Sequence, residues 1–117
     1  MFEDFKRTVI VYGSDFWEFY NALKEKTQKK IDWIIGLIQT LEMIPEKYFK
    51  HIEGEDGLFE IRVKAGSDIY RIFCFFDEGN LVILVNGFQK KTEKTPRNEI
   101  AKANRLKQNY YEEKRKE

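Results

Sequence analysis

The chain has 117 residues, of which 42% are hydrophobic and 15% aromatic; this fits one domain over residues 1–117 with a substantial core and excludes a disordered chain. Net charge is only +1, yet residues 90–117 hold ten Lys/Arg against five acids, a local +5 that leaves −4 for residues 1–89. The asymmetry points to an anionic partner for the C-terminal third, or else to a solvated charged helix.

One cysteine, Cys74, excludes an internal disulfide, and with a single histidine, His51, it makes a zinc site a poor fit. Cys74 lies inside an apolar run, so a buried thiol is expected, which suits a reducing cytoplasm. The start, MFEDFKRTVIVYG, has acids before its basic pair and a brief apolar run, unlike a secretory signal. The longest apolar stretch, Ile31 to Ile44, carries Asp32, Gln39 and Glu42 and is too short to span a bilayer. A cytoplasmic, membrane-free protein is expected.

In chain order, the β-branched and aromatic run Thr8 to Tyr12 predicts a first strand, broken by Gly13-Ser14. Ser14 is placed to cap a helix over about residues 15–26, with Phe16, Phe19, Tyr20 and Leu23 at helical spacing. Thr27 offers a new cap, and Ile31, Ile34, Ile35, Ile38 and Leu41 form the stripe of a second helix ending near Pro45. The short link predicts an antiparallel helix hairpin. Leu58 to Val63 then alternates, with Phe59, Ile61 and Val63 on one face and Glu60 and Arg62 on the other. Ile69 to Phe76 is apolar except at Arg71, and Leu81 to Phe88 is continuously apolar, as a well-covered strand would be. Thr95 caps a last helix with Pro96 at its first position. Its apolar stripe is thin (Ile100, Ala103, Leu106, Tyr110), and its end, YYEEKRKE, is expected to fray. The order β-α-α-β-β-β-α makes an α+β domain: an N-terminal strand and helix hairpin packed on a twisted, mainly antiparallel sheet.

No Gly-rich phosphate loop, CxxC or HExxH is present. Arg71 interrupts an apolar strand, and a buried guanidinium must reach a carboxylate, water or a ligand. An ion pair with Glu60 across the sheet is one solution. A concave sheet face that offers Arg62 and Arg71 to phosphate, bordered by Lys90 and Lys91, is the other. Tyr110 and Tyr111 can stack on a base, although packing of the last helix accounts for them more simply.

The run LFEIRVKAGSDIYRIFCFFDEGNLVILVNGFQKKTEKTPRNEIAKA carries a family likeness. An aromatic precedes E-I-R (Phe59 to Arg62), Tyr70-Arg71 opens an apolar stretch, and Gly87-Phe88-Gln89-Lys90-Lys91-Thr92 closes a strand. Thr95-Pro96 then opens a helix that carries Ala103. In this order and spacing the chain resembles the RelE/ParE toxin superfamily, and within it the phage-derived, HigB-like toxins of type II toxin–antitoxin systems. The likeness covers roughly residues 48–106.

The resemblance implies a RelE-like fold and a ribosome-dependent endoribonuclease, an mRNA interferase that cuts translated mRNA by attack of the 2′-hydroxyl on the adjacent phosphate. It implies no metal and no cofactor. Carried over by position, Arg71 holds the scissile phosphate, Arg62 assists, and Lys90 or Lys91 stabilises the phosphate or the leaving group. Lys94, Arg97 and Phe88 belong to the surrounding RNA-binding surface. No histidine follows the last strand, where some relatives place one, so the resemblance leaves the acid–base group unassigned. The implied partners are a cognate antitoxin of the helix-turn-helix, HigA-like kind and the 70S ribosome with its mRNA. Two other readings stay open: a non-catalytic, ParE-like gyrase inhibitor, and an inactive relative that keeps only nucleic-acid or antitoxin binding.

Overall fold

The computed structural model describes residues 5–117. Its elements are β1 (Thr8–Val11), α1 (Asp15–Asn21), α2 (Glu25–Thr40), β2 (Phe49–His51), β3 (Leu58–Ala65), β4 (Asp68–Asp77), β5 (Leu81–Lys90) and α3 (Arg97–Arg115). One five-stranded sheet runs in the order β1-β5-β4-β3-β2. Only β1 and β5 pair in parallel; the other pairings are antiparallel. The α+β architecture and the mainly antiparallel sheet follow the expectation. The reading of MFEDFKRTVIVYG as no secretory signal rests partly on residues 1–4, which lie outside the described residues.

Each sheet face carries its own core. Against one face, Phe16 of α1 and Ile31, Ile34 and Ile38 of α2 pack with Ile61, Val63, Ile72, Cys74, Val82 and Leu84. Against the other, Ala103 of α3, with Ile100, Leu106, Tyr110 and Tyr111 beside it, packs on Leu58, Phe73, Phe75, Ile83 and Val85. Strand alternation sorts these sets, since successive side chains point to opposite faces. Cys74 is fully buried, as expected, and burial raises its thiol pKa. Among the described residues, no helix is long and apolar enough to cross a membrane.

Several boundaries differ from the sequence expectation. The first helix stops at Asn21 rather than near residue 26, because the backbone turns at Ala22 and Leu23 and becomes extended at Lys24 (ψ 150°). Lys24, not Thr27, is the N-cap of α2, and Thr27 is buried inside the helix. That helix ends at Thr40, before Pro45 is reached. Its last turn is held by Arg7, whose guanidinium donates to the carbonyls of Ile38 (3.0 Å), Leu41 (2.7 Å) and Glu42 (2.9 Å). A cation there satisfies carbonyls that a helix end leaves unpaired. The three-residue strand β2 was not expected; Phe49 and His51 pair with Ile61 and Phe59. Pro96 stands at the N-cap of α3, without a side-chain capping bond from Thr95.

The expected fraying of YYEEKRKE is also corrected: α3 is helical through Arg115. Buried Asp77 accepts from the Tyr110 hydroxyl at 2.7 Å and from Lys114 Nζ at 2.8 Å. Tyr110 also packs edge-on to Tyr12 and Phe75. Burial, then the bond to Asp77, pushes the Tyr110 hydroxyl up to about 12. Hydrogen bonds from Lys114 and Tyr110 hold the Asp77 carboxyl below its ordinary value.

Gly87 allows α1 to approach β5. A Cβ there would overlap the ring of Phe19. Gly87→Ala should therefore destabilise the protein by about 1–3 kcal/mol through overpacking. In a Phe19→Leu background the same change should cost less, and urea unfolding of the four-member cycle measures this; equal costs in both backgrounds would remove the ring contact as the cause.

The tail anchor predicts a pH dependence. A depressed carboxyl contributes stability that is fully present above its unfolded pKa and is lost as pH falls through the folded value. The stability gap between wild type and Asp77→Asn should shrink below about pH 4. Urea midpoints from neutral to acidic pH test this, and a constant gap would show that the carboxylate charge does not hold the tail.

Candidate functional site

Helix α3 covers only part of its sheet face. Beyond it the same face carries Glu60, Arg62 and Lys64 from β3, Ile69 and Arg71 from β4, and Phe88 and Lys90 from β5. The strand register sets Arg62 directly opposite Arg71, and Arg71 opposite Phe88. Like charges facing each other across a ladder destabilise it. One buried carboxylate offsets this: Glu60 Oε2 lies 3.2 Å from Arg62 Nε and 3.5 Å from Arg71 Nε. The ion pair considered from sequence is thus present, and it is shared by two arginines.

Arg71 is 6% exposed. Its Nη1 donates to the carbonyl of Tyr70 at 3.1 Å, while its buried Nε has no hydrogen-bond partner. Burial lowers the Arg71 pKa, the charge of Glu60 opposes that shift, and the charge of Arg62 adds to it. Arginine nonetheless stays charged, so the site holds two permanent cations over one anion. Lys90 extends the cluster. Burial lowers its pKa first, then the charge of Arg71, with Glu60 opposing.

The candidates divide into two groups. Arg62, Arg71 and Lys90 converge on the uncovered half of the face, with Phe88 forming its wall through an edge-on contact to Phe73 at 5.2 Å. Lys91 and Lys94 lie exposed in the link after β5, and Arg97 lies exposed in the first turn of α3. Tyr110 and Tyr111 are engaged with Asp77, the Phe76 carbonyl and Phe75, so they serve packing. His51 is exposed on β2, edge-on to Phe59. Among the described residues, no cluster of three or more His, Cys, Asp or Glu is placed to hold a metal ion.

Sequence reasoning missed one side of this region. A cavity of about 490 Å³ opens at the edge of β3, where Arg62, Lys64 and Arg71 meet Lys30 of α2 and Lys47 and Tyr48 of the α2–β2 link. No single segment carries that constellation, so only the fold assembles it.

Residues 18–108 match the family described as phage-derived protein Gp49-like (DUF891). The fold is shared with a chain of the crystal structure of the archaeal RelE–RelB complex from Pyrococcus horikoshii OT3. The TM-score is 0.52 over 70% of this chain and 92% of that one, at 13% sequence identity, so the likeness is one of fold. No protein of curated function matches the chain. The family match spans more than half of the sequence, and the protein belongs to the Gp49-like family of phage-derived proteins.

Proposed function

We propose that this protein is the toxin of a type II toxin–antitoxin pair and acts as a ribosome-dependent endoribonuclease on translated mRNA. The observation that carries the reading is the pair Arg62 and Arg71, side by side on the part of the sheet that α3 leaves uncovered, Arg62 partly exposed and Arg71 buried, with one carboxylate between them. Glu60 offsets only one of the two charges, so the pair keeps an excess positive charge that attracts a further anion. A phosphodiester supplies the anion, and planar fork-shaped donors suit its oxygens. The RelE-like fold and the HigB-like motif order support the same reading.

In the proposed reaction, the 2′-hydroxyl oxygen bonds to the adjacent phosphorus and the bond from phosphorus to the 5′ oxygen breaks. The products are a 2′,3′-cyclic phosphate and a 5′-hydroxyl. The 2′ proton leaves to a base, and the 5′ oxygen takes up a proton. Arg71 and Arg62 hold the phosphate and stabilise the charge that builds on it. Lys90, made more acidic by burial and by Arg71, protonates the departing 5′ oxygen. Lys91, Lys94 and Arg97 grip the surrounding RNA electrostatically. Action on translating ribosomes places the protein in the cytoplasm.

The proposed partner is an antitoxin of the helix-turn-helix, HigA-like kind. An apolar groove suits such a partner: it runs along β1 and α1 and is lined by Val9, Ile10, Val11, Phe16, Trp17 and Tyr20. Ile10 and Trp17 are 40% and 47% exposed there.

Primer extension on a defined mRNA, with and without translating ribosomes, tests the activity. Wild type should cut only with ribosomes, and Arg71→Ala should cut at least about 100-fold more slowly. Lys90→Arg keeps the charge but withholds the proton, so it should slow cleavage far more than it weakens ribosome binding. No cuts from folded wild-type protein would refute the nuclease reading, and a supercoiling assay would then test gyrase inhibition.

Lys90→Ala combined with Lys91→Ala should weaken ribosome association and lower its salt slope by roughly one to two. An unchanged slope, measured by co-sedimentation across a salt series, would mean that the pair makes no phosphate contact.

A further inference from the structure

We infer that the cleft at the free edge of β3 is a subsite for one nucleotide of single-stranded RNA, with its phosphate on the cleft lysines and its base stacked on Trp33 and Tyr48. The inference rests on the RNA reading of the neighbouring arginine pair.

The cleft exists because β2 is short. Its pairing with β3 ends at Ile61, and the Tyr48 carbonyl takes one more bond, from Arg62 N at 2.8 Å. Beyond that point β3 has no strand beside it, and the cavity of about 490 Å³ fills the gap. That volume lies in the range of small-molecule sites, about 300–1,000 Å³.

Charge selects the ligand. Lys30, Lys47, Arg62, Lys64 and Arg71 line the cavity, and no carboxylate does. The acids near these segments have other partners: Glu60 the arginines, Asp32 the Tyr20 hydroxyl at 2.8 Å, Glu46 Lys50 at 3.7 Å, and Asp68 the Gln89 amide at 3.3 Å. Arg71, whose Nε meets Glu60 at 3.5 Å without forming a hydrogen bond, belongs to the same lining. The excess of cations suits an anionic ligand.

The rim adds specificity. Trp33 is 51% exposed on the outer side of α2, whereas Ile31 and Ile34 beside it are fully buried. Its ring meets that of Tyr48 edge-on at 5.6 Å. Lys30 Nζ lies 5.2 Å from the Trp33 ring centroid, and Lys47 Nζ lies 4.9 Å from that of Tyr48. An exposed ring, Trp33, and a half-buried one, Tyr48, interleaved with two lysines form a platform for a base joined to a phosphate. A duplex cannot use it, because paired bases are not free to stack on side chains.

The probe is a short, fluorescently labelled, 2′-O-methylated single-stranded RNA, which cannot be cleaved by its own 2′-hydroxyl. Trp33→Ala should weaken binding about ten-fold at fixed salt with the salt slope unchanged. Lys30→Ala with Lys47→Ala should lower the slope by about 1.4. Duplex RNA of the same sequence should bind wild type and Trp33→Ala equally. The chain has two tryptophans, so Trp17→Phe leaves Trp33 as the sole reporter, and its fluorescence should be quenched at saturating single strand. Wild-type affinity in folded Trp33→Ala protein, or no quench in Trp17→Phe protein, overturns the subsite. If quenching persists while folded wild-type protein makes no ribosome-dependent cuts, the nuclease assignment fails and the subsite stands.

Discussion

The carboxylate of Glu60 is the constraint around which the uncovered sheet face is arranged. It is buried, it is shared by two guanidinium groups, and it lies on β3, beside the central strand β4. Without it, Arg62 and Arg71 would oppose each other uncompensated. With it, they remain net positive and short of one anion. Buried ion pairs of this kind contribute little net stability, because desolvation offsets the attraction. Their position is enforced instead by the opposite face. Phe59, Ile61 and Val63 commit β3 to the α1–α2 core, and a slip of one residue would drive the arginines into it. The apolar side of the strand therefore places the charged side.

An irregularity in β5 selects which lysine joins the arginines. Ile72 pairs with Gly87 and Cys74 with Leu84, so Val85 and Asn86 together stand opposite Phe73. Both then serve the α3 face: Val85 is buried in its core, and Asn86 donates to the carbonyl and side chain of Glu99 in α3. Past this bulge the alternation is inverted. Gly87 faces Phe19 of α1, while Phe88 and Lys90 share the face of Arg71. A regular strand would have turned Gln89 toward the arginines in place of Lys90.

These devices explain what the sequence made legible. The period-two pattern of β3 separated Glu60 and Arg62 from the core residues, and the lone charge of β4 marked Arg71. Lys90 and Lys91 were indistinguishable, because a bulge leaves no local signature in LVILVNGFQKK. Strand β2 was hidden by its length: three residues between Pro45 and a Gly-rich turn carry no period, and only pairing with β3 defines them. The boundary between α1 and α2 was misplaced because Ala22, Leu23 and Lys24 are good helix formers, so the break comes from tertiary packing. Trp33 was left outside the apolar stripe of its helix, but its exposure became meaningful only once Tyr48 and two lysines were found beside it.

The uneven charge of the chain then takes a different meaning. Residues 90–117 carry an excess of five positive charges, yet two of these cations are occupied within the fold. Lys107 donates to the Asp56 carbonyl at 2.8 Å, and Lys114 bridges Asp77 and Glu78 at 2.8 and 3.3 Å. Two of the cations on α3 thus fasten that helix to the sheet and its turns. The cations left to meet an anion are drawn from the whole chain: Lys30 and Lys47 from the acidic N-terminal part, Arg62, Lys64 and Arg71 from the meander, and Lys90, Lys91, Lys94 and Arg97 after it. Regional net charge is an incomplete footprint here because a charge can be spent on intramolecular bonds, and because the sheet gathers cations that the sequence keeps apart. The proposed interface rests instead on cations gathered around the free edge of β3 with a single buried carboxylate, Glu60, among them.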